Sequence, residues 1–460
     1  MLYLQILLFI LPYVQTTLSS DLKETYSDYK LIRCTDHIDP EIFFQEEVDI
    51  WSRNQDFTDI MVHNKDIKKF DHCQVINDIQ TLLDEETNSE DDENVIDANQ
   101  LNELFPFDTF DFDDNNEFIQ DFKNENMIEY NGNHHNNFFK KYRNLEDIYE
   151  YMESLAYKYA NLVKLEDIGT TFEGRDIKAM HISAHDVNEN QSHRKNNPNK
   201  KTVVITSGLH AREWATITTT LWIATKLAAK YGNFKKETFY LNNLDFFIIP
   251  VFNPDGYEYT WRNDRLWRKT RQQTSHPRCF GIDLDHSFDF QWTDNDTPCS
   301  VYYSGQSPFE SLESKALNEY LFDKKNNDEN FKLHGFIDFH SYGQEILYPY
   351  GFSCDLQPRD IENLLELSYG MARSIRLKTG EAYEVMPSCK DKGSDLIPGF
   401  GSGNALDYFY HSKAHWAFQF KIRDLGEKGF ILPKKYIKPV ARENYAAVKH
   451  FCDFILNPEL

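Results

Sequence analysis

The pattern with the clearest chemical meaning is a histidine and a glutamate three residues apart. His210 and Glu213 follow an apolar, β-branched run at residues 202–206, which predicts a buried strand, and precede a helical pattern at residues 215–230. Side chains three residues apart in a helical turn share a face, so an imidazole and a carboxylate at this spacing can bind one zinc ion. A catalytic zinc site has three protein ligands and an open position. For an isolated pair, a polar strand-to-helix connection is the alternative.

Further motifs follow this pair in a fixed order along the chain. They read Gly208-Leu-His-Ala-Arg-Glu-Trp214, Asn253-Pro-Asp-Gly-Tyr257, Asn263-Asp-Arg-Leu-Trp-Arg-Lys269, Phe339-His-Ser-Tyr342 and Arg423-Asp-Leu-Gly426. From about residue 142 to the C-terminus, the sequence therefore resembles the A/B-type zinc carboxypeptidases. The resemblance implies one zinc ion held by His210, Glu213 and His340.

The same resemblance implies roles for residues around the metal. Asp283 matches the carboxylate that orients the first histidine ligand, and Arg268 matches the arginine that stabilises the oxyanion. The alternative for Arg268 is a solvated surface arginine. Ser341 and Tyr342 fall in the substrate cleft with Leu406, which matches the position that sets side-chain preference. An active enzyme would therefore favour apolar C-terminal residues.

Other positions depart from the family pattern. Asp285 and His286 stand where the family has an Asn-Arg pair that holds the substrate's terminal carboxylate, and an aspartate cannot bind a carboxylate without a shared proton. Ile397 or Gly399 falls where the family has a mobile tyrosine. Lys421 occupies the position of the catalytic glutamate, and general acid–base catalysis is worth about 10²–10⁴-fold in rate.

Period-2 alternation places Lys421 on one strand face with Gln419 and Arg423, so its ammonium is expected to face the cleft. Because an ammonium near a zinc ion needs an intervening carboxylate, we expect an ion pair between Lys421 and Asp285. In the rival chemistry, burial lowers the lysine pKa and a neutral Lys421 acts as the base.

Metal ligands together with a lysine at the base position most resemble the inactive metallocarboxypeptidases of yeasts and other fungi, a group linked to cell-wall organisation. The resemblance implies a catalytically inactive, zinc-binding homologue with an unidentified protein or peptide ligand. Two alternatives belong to other classes of function. One is an active carboxypeptidase of altered specificity, and the other is a binding module that uses the cleft for a different ligand.

Strand patterns alternate with helical ones after a predicted first helix at residues 145–155. The strand candidates are residues 163–168, 177–182, 202–207, 246–251, 335–339 and 418–422. This alternation predicts the α/β class, as a three-layer α/β/α domain with a mixed, mostly parallel sheet and ligands beyond the strands' carboxyl ends.

The N-terminal third has a different organisation. Residues 1–20 resemble a secretory signal peptide, although no basic residue precedes the apolar run, and an N-terminal core strand is the alternative. Residues 21–83 resemble the small α/β pro-domain that caps the cleft in the same family. Residues 84–130 contain 17 acidic residues and one lysine, and this composition predicts an acidic linker at residues 84–135. Residues 136–460 form the predicted carboxypeptidase-like domain.

Charge and cysteine content narrow the partners and the compartment. The formal net charge of −25 argues against nucleic acid as a partner, and no later stretch predicts a membrane span. The seven cysteines contain no Cys-x-x-Cys pair, which favours disulfides in an oxidising compartment. The family resemblance implies bridges between Cys279 and Cys299 and between Cys354 and Cys389. The remaining cysteines allow a pair between Cys34 and Cys73, which leaves Cys452 unpaired.

The sequence therefore predicts a monomer of the secretory pathway, either secreted or vacuolar. Two glycosylation sequons, at Asn190 and Asn295, agree with that compartment, although such triplets are common by chance.

Overall fold

A computed structural model describes most of the chain. The described residues are 26–35, 49–53, 57–88, 138–184, 200–294, 297–324, 332–391, 401–412 and 414–457. Several predicted features lie outside them. These are the signal peptide at 1–20, the linker from residue 89 onward, the sequons at Asn190 and Asn295, and the cleft positions Ile397 and Gly399.

Twelve strands form two separate sheets in the described part of the chain. The strands are β1 Tyr29–Cys34, β2 Asp49–Arg53, β3 Thr58–His63, β4 Gln74–Asp78, β5 Val163–Thr170, β6 Asp176–Ile182, β7 Lys201–Ser207, β8 Leu244–Ile249, β9 Leu333–Ser341, β10 Glu345–Tyr348, β11 Glu384–Pro387 and β12 Trp416–Ile422. The helices are α1 Ile79–Asn88, α2 Leu145–Lys158, α3 Trp214–Lys230, α4 Lys235–Asn243, α5 Pro254–Arg262, α6 Leu312–Asn318, α7 Ile361–Thr379, α8 Ala405–Ser412 and α9 Ile437–Leu456.

The large domain is built on an eight-stranded sheet in the order β11-β10-β12-β9-β7-β8-β6-β5. Its centre, β12-β9-β7-β8, is parallel, while β10 against β12, β6 against β8 and β5 against β6 are antiparallel. All six predicted strands are present, so the prediction of a mixed, mostly parallel α/β sheet is confirmed. The short strands β10 and β11 were not predicted, because four residues carry too little periodicity to be recognised.

Helices cover both faces of this sheet, and β9 shows how. At Gly335, the side-chain position faces α9. A Cβ there would lie 2.7 Å from the Phe451 ring, so only glycine allows the helix to pack this closely. The neighbouring Phe336 points the opposite way and stacks on Phe409 of α8 at 4.0 Å between ring centroids. Because successive side chains of a strand alternate between faces, α8 and α9 lie on opposite sides. The predicted three-layer arrangement is therefore present.

A smaller unit, residues 26–88, carries its own antiparallel sheet in the order β2-β3-β1-β4, with helix α1. Its own core contains Ile32 and Ile60, which are fully buried. Helix α1 continues to Asn88, so the first five residues of the predicted linker, 84–88, are helical. We call this unit the pro-unit.

The pro-unit is attached to the large domain through buried charge. Glu86 accepts two hydrogen bonds from the guanidinium of Arg265, at 2.9 and 2.7 Å, and both side chains are buried. Asp49 pairs with Arg212 Nη1 at 2.6 Å. Trp51 packs beside these pairs against Phe430. A buried ion pair is costly to break from one side, because the remaining charge has no partner.

Three disulfides join described cysteines, namely Cys34–Cys73 in the pro-unit and Cys279–Cys299 and Cys354–Cys389 in the large domain. These are the pairs that the sequence allowed, and Cys452 is free and buried. Among the described residues, no helix has the length and apolar character needed to cross a membrane.

Two adjacent glutamates of α1 allow the interface to be tested. We expect Glu86→Gln to lower the free energy of unfolding by about 3–5 kcal/mol, because it leaves the buried Arg265 guanidinium without a counter-charge. Glu85→Gln is the matched control, since Glu85 pairs with Lys428 in a largely exposed position and such pairs contribute about 0–1 kcal/mol. Urea unfolding of both variants measures the difference, and equal effects would contradict the assignment of the interface energy to the buried pair.

Candidate metal centre and substrate cleft

Three side chains converge at the carboxyl ends of two parallel strands. His210 and Glu213 lie in the short connection between β7 and α3, and His340 lies near the end of β9. His210 Nδ1 is 2.9 Å from Glu213 Oε1 and 3.1 Å from His340 Nδ1, and His340 Nδ1 is 3.3 Å from Glu213 Oε2. All three residues are no more than 3% exposed. The structure thus brings the three predicted ligands together in one buried cluster.

Each histidine ring is held from behind by a carboxylate. The Nε2 atom of His210 is 3.1 Å from Asp283 Oδ1, and that of His340 is 2.9 Å from Asp338 Oδ2. These bonds direct the Nδ1 atoms of both rings toward each other and toward Glu213. Sequence reasoning found Asp283 through the family resemblance but missed Asp338. The signal was present, because Asp338 lies two residues before His340 on the same strand and therefore on the same face.

The buried carboxylates favour positive charge in this cluster. Burial opposes ionisation of His340, but Asp338 and Glu213 outweigh it and raise the pKa of the imidazole well above its ordinary value. Burial likewise opposes ionisation of Glu213, yet His210 and His340 lower the pKa of its carboxyl far below the usual range. Either a proton or a metal cation between these groups would balance the negative charge of the buried carboxylates.

Arg268 lies next to the metal cluster and is committed to Asp283. Its Nε and Nη2 atoms donate to Asp283 Oδ2 at 3.0 and 2.9 Å. Burial acts to lower the pKa of the Arg268 guanidinium, but Asp283 and Tyr302 raise it above its ordinary value. The alternative of a solvated surface arginine is therefore wrong.

Lys421 faces the cleft, as alternation along β12 predicted. It pairs in register with His340 of β9 and with Glu345 of β10, so the three side chains share one face of the sheet. Its ammonium donates to Asp391 and lies 3.9 Å from Glu345 Oε2. The expected ion pair with Asp285 is wrong. Asp391, at the end of a turn far along the chain, supplies the counter-charge instead.

Two features keep Lys421 protonated in this position. Burial acts to lower the pKa of its ammonium, but the Asp391 and Glu345 carboxylates raise it above the ordinary lysine value. The turn that carries Asp391 is fixed by the Cys354–Cys389 disulfide and by a bond from Asp391 N to Ser388 O at 2.9 Å. These contacts oppose the rival chemistry, in which a neutral Lys421 acts as a base.

Asp285 and His286 have local partners instead of forming a clamp for a carboxylate. Asp285 accepts hydrogen bonds from Gln419 Nε2 at 3.1 Å and from the backbone N–H of Ala405 at 3.4 Å. The buried ring of His286 places Nδ1 3.1 Å from the carbonyl oxygen of Ser402. The pair thus offers no bidentate cation comparable to a guanidinium.

The remaining predicted cleft residues are largely covered. The backbone N–H of Ser341 donates to Glu213 Oε2 at 3.0 Å, which places Ser341 beside the metal cluster. Tyr342 is buried beneath Trp51 of the pro-unit, with ring centroids 6.5 Å apart. Leu406 is buried within the main hydrophobic core.

The fold and the His-Glu-His cluster are those of the zinc carboxypeptidase family, and a sequence model of that family, described as zinc carboxypeptidase, matches residues 148–447. The chain belongs to this family. A crystal structure of thrombin activatable fibrinolysis inhibitor shares the fold, with a TM-score of 0.71 at 22% identity over 94% of this chain and 99% of that one. The bovine inhibitor in complex with tick carboxypeptidase inhibitor has a TM-score of 0.60 at 28% identity, over 70% of this chain and 99% of that chain.

Within the family, the chain is similar to fungal proteins that bear the name inactive metallocarboxypeptidase ECM14. It is 46% identical to the one from Saccharomyces cerevisiae, over 95% of this chain and 94% of the relative. It is 40% identical to the one from Sclerotinia sclerotiorum, over 70% of this chain but 55% of the relative. The predicted resemblance to the inactive fungal metallocarboxypeptidases is confirmed.

The buried carboxyl of Asp407, next to Leu406, makes the free energy of unfolding depend on pH. Burial raises the pKa of its carboxyl to about 7, although the backbone N–H groups of Gly351 and Phe352 donate to it and oppose the rise. The unfolded chain releases this proton near pH 4, whereas the folded chain keeps it. The resulting stability is full below pH 4 and is lost as the pH rises through 7.

We therefore expect Asp407→Asn to gain stability relative to the wild type, on the order of 1–4 kcal/mol, between pH 4.5 and pH 8. Urea unfolding at several pH values measures the difference between the two proteins. The exposed Asp176, substituted in the same way, is the control, and parallel pH profiles of Asp407→Asn and wild type would contradict the buried proton.

Proposed function

We propose that this protein is a catalytically inactive carboxypeptidase homologue that retains one zinc ion and uses its cleft to bind a peptide or protein segment. The observation that carries the proposal is Lys421, held as an ammonium by Asp391 beside a complete set of ligands. The names of the fungal relatives support inactivity.

The donor set fits zinc. His210, Glu213 and His340 offer two imidazole nitrogens and a carboxylate, the combination found in catalytic zinc sites with an open position. The Nε2 atom of each imidazole contacts a carboxylate, which fixes the tautomer that leaves Nδ1 free to coordinate. When bound, zinc would supply Lewis acidity at this point.

Hydrolysis also needs a group that accepts a proton, and this chain places a proton donor there. The Lys421 ammonium has no lone pair, and its carboxylate partners raise the pKa that governs its deprotonation. Substrate positioning fails as well, because the Asp285 carboxylate would repel the terminal carboxylate of a peptide. Both losses act on the same reaction, so restoring one group leaves the other defect in place.

The biological setting is part of the proposal. Three disulfides favour an oxidising compartment, which supports the secretory pathway and either a secreted or a vacuolar protein. A role in cell-wall organisation is supported only by the resemblance to the fungal group. The acidic net charge of −25 supports a protein or peptide ligand rather than nucleic acid, bound by a monomer.

The test uses the purified full chain, before and after proteolysis in the linker. We expect one zinc per chain by elemental analysis and no release of C-terminal residues from a panel of peptides, including those with apolar C-termini. Turnover that is abolished by a chelator would overturn the proposal in favour of an active enzyme of altered specificity. The absence of zinc would overturn the metal assignment.

We expect Lys421→Glu to remain inactive. The new carboxylate would lie beside Asp391 and Glu345, so it should also lower the melting temperature through repulsion. Lys421→Met is the matched control, since it removes the positive charge without adding a negative one, and its melting temperature should fall less. Hydrolysis by the Lys421→Glu variant would show that the missing base alone accounts for the inactivity.

A further inference from the structure

We infer that Asp338 is a positioning residue of the metal centre, which fixes His340 as a ligand and adds negative charge behind it. This inference rests on the proposed zinc site and concerns a residue that the three-ligand set does not include.

The Asp338 carboxylate joins two groups. Its Oδ2 atom is 2.9 Å from His340 Nε2, and its Oδ1 atom accepts a hydrogen bond from the Thr206 hydroxyl at 2.7 Å. Asp338 is fully buried, and Thr206 lies on β7, the neighbouring parallel strand. The carboxylate is therefore fixed at both oxygens, and its contact with Nε2 restricts the orientation of the His340 ring.

The two carboxylates differ in how their charge is balanced. Asp283 contacts His210 through Oδ1 and accepts hydrogen bonds from Nε and Nη2 of Arg268 at Oδ2, so a permanent cation compensates its charge. Asp338 receives a neutral hydroxyl instead. Within the described residues, its ion-pair partner is His340 alone. The negative charge of Asp338 is thus directed at the metal through the imidazole.

An uncompensated carboxylate behind an imidazole makes the ring a stronger electron donor, and removing such a partner typically costs 10–100-fold in metal affinity. Stronger donation tightens metal binding but leaves the ion a weaker Lewis acid. The arrangement therefore favours retention of the ion.

The test compares zinc affinities of full-length variants by competition with a chromophoric chelator. We expect Asp338→Asn to bind zinc about 10–100-fold more weakly than the wild type. Asp255→Asn is the matched control, because Asp255 is equally buried and also accepts a threonine hydroxyl bond at 2.7 Å, from Thr171. The other partners of Asp255 are Glu173 and Arg175, which are not metal ligands. The zinc affinity of the Asp255→Asn protein should therefore stay within twofold of the wild type.

A second variant covers the case in which Asp338→Asn fails to fold. Thr206→Val removes the hydroxyl that fixes Asp338 while keeping the side-chain shape, and we expect a smaller loss of affinity, about 3–10-fold. The visible absorption bands of the cobalt-substituted protein should also shift in both variants and not in Asp255→Asn, because ligand donation to the metal changes in those two alone.

The outcomes separate this inference from the proposed function. A wild type without zinc overturns both. A zinc-loaded wild type with Asp338→Asn and Thr206→Val within twofold of its affinity, and with unchanged cobalt spectra, overturns the role of Asp338 and leaves the zinc site in place. Equal losses of affinity in Asp338→Asn and Asp255→Asn would also overturn it, since any buried carboxylate would then have the same effect.

Discussion

Two imidazole nitrogens that face each other at 3.1 Å determine how the rest of the cleft must be built. Neutral rings in this arrangement direct two lone pairs at one point, which is unfavourable unless a cation lies between them. The parallel pairing of β7 with β9 brings His210 and His340 to the same edge of the sheet. Buried carboxylates behind both rings hold that arrangement, and Glu213 completes it. Strand order, burial and the local motif must all be correct for the centre to form.

Around this centre, the charged residues that depart from the family pattern each have partners of their own. Lys421 has Asp391 and Glu345, and Asp285 has the amide of Gln419 and a backbone N–H. Buried charges persist in folded proteins when such partners surround them, and a change on one side leaves the other unsatisfied. We therefore attribute the inactivity to several contacts together, as part of the proposed function.

Sequence reasoning reached the fold class from strand periodicity and His210 with Glu213 from their spacing, whereas His340 entered only through the family resemblance. Strand periodicity, and motifs whose residues are close along the chain, can be read without knowing the tertiary structure. The partner of Lys421 could not be predicted in this way. Asp391 lies 30 residues from Lys421 in the sequence, in a turn just after β11. Strands β10 and β11 have four residues each, too few for a periodic pattern that would have predicted this arrangement. Asp338 was accessible in principle, since it shares a strand face with His340, but a buried aspartate acquires meaning only when its contacts are known.

Arg212 lies between His210 and Glu213, and this position links the pro-unit to the candidate metal centre. Its side chain binds Asp49, and its carbonyl oxygen accepts a hydrogen bond from Arg265 at 2.8 Å, the same guanidinium that binds Glu86. The connection that carries two metal ligands is therefore held partly by the pro-unit. Contacts of this kind allow docking of the pro-unit to affect the position of both candidate ligands, and any coupling between docking and metal binding must be reciprocal. A given factor by which the docked pro-unit changes metal affinity is therefore also the factor by which a bound metal changes the affinity of the pro-unit.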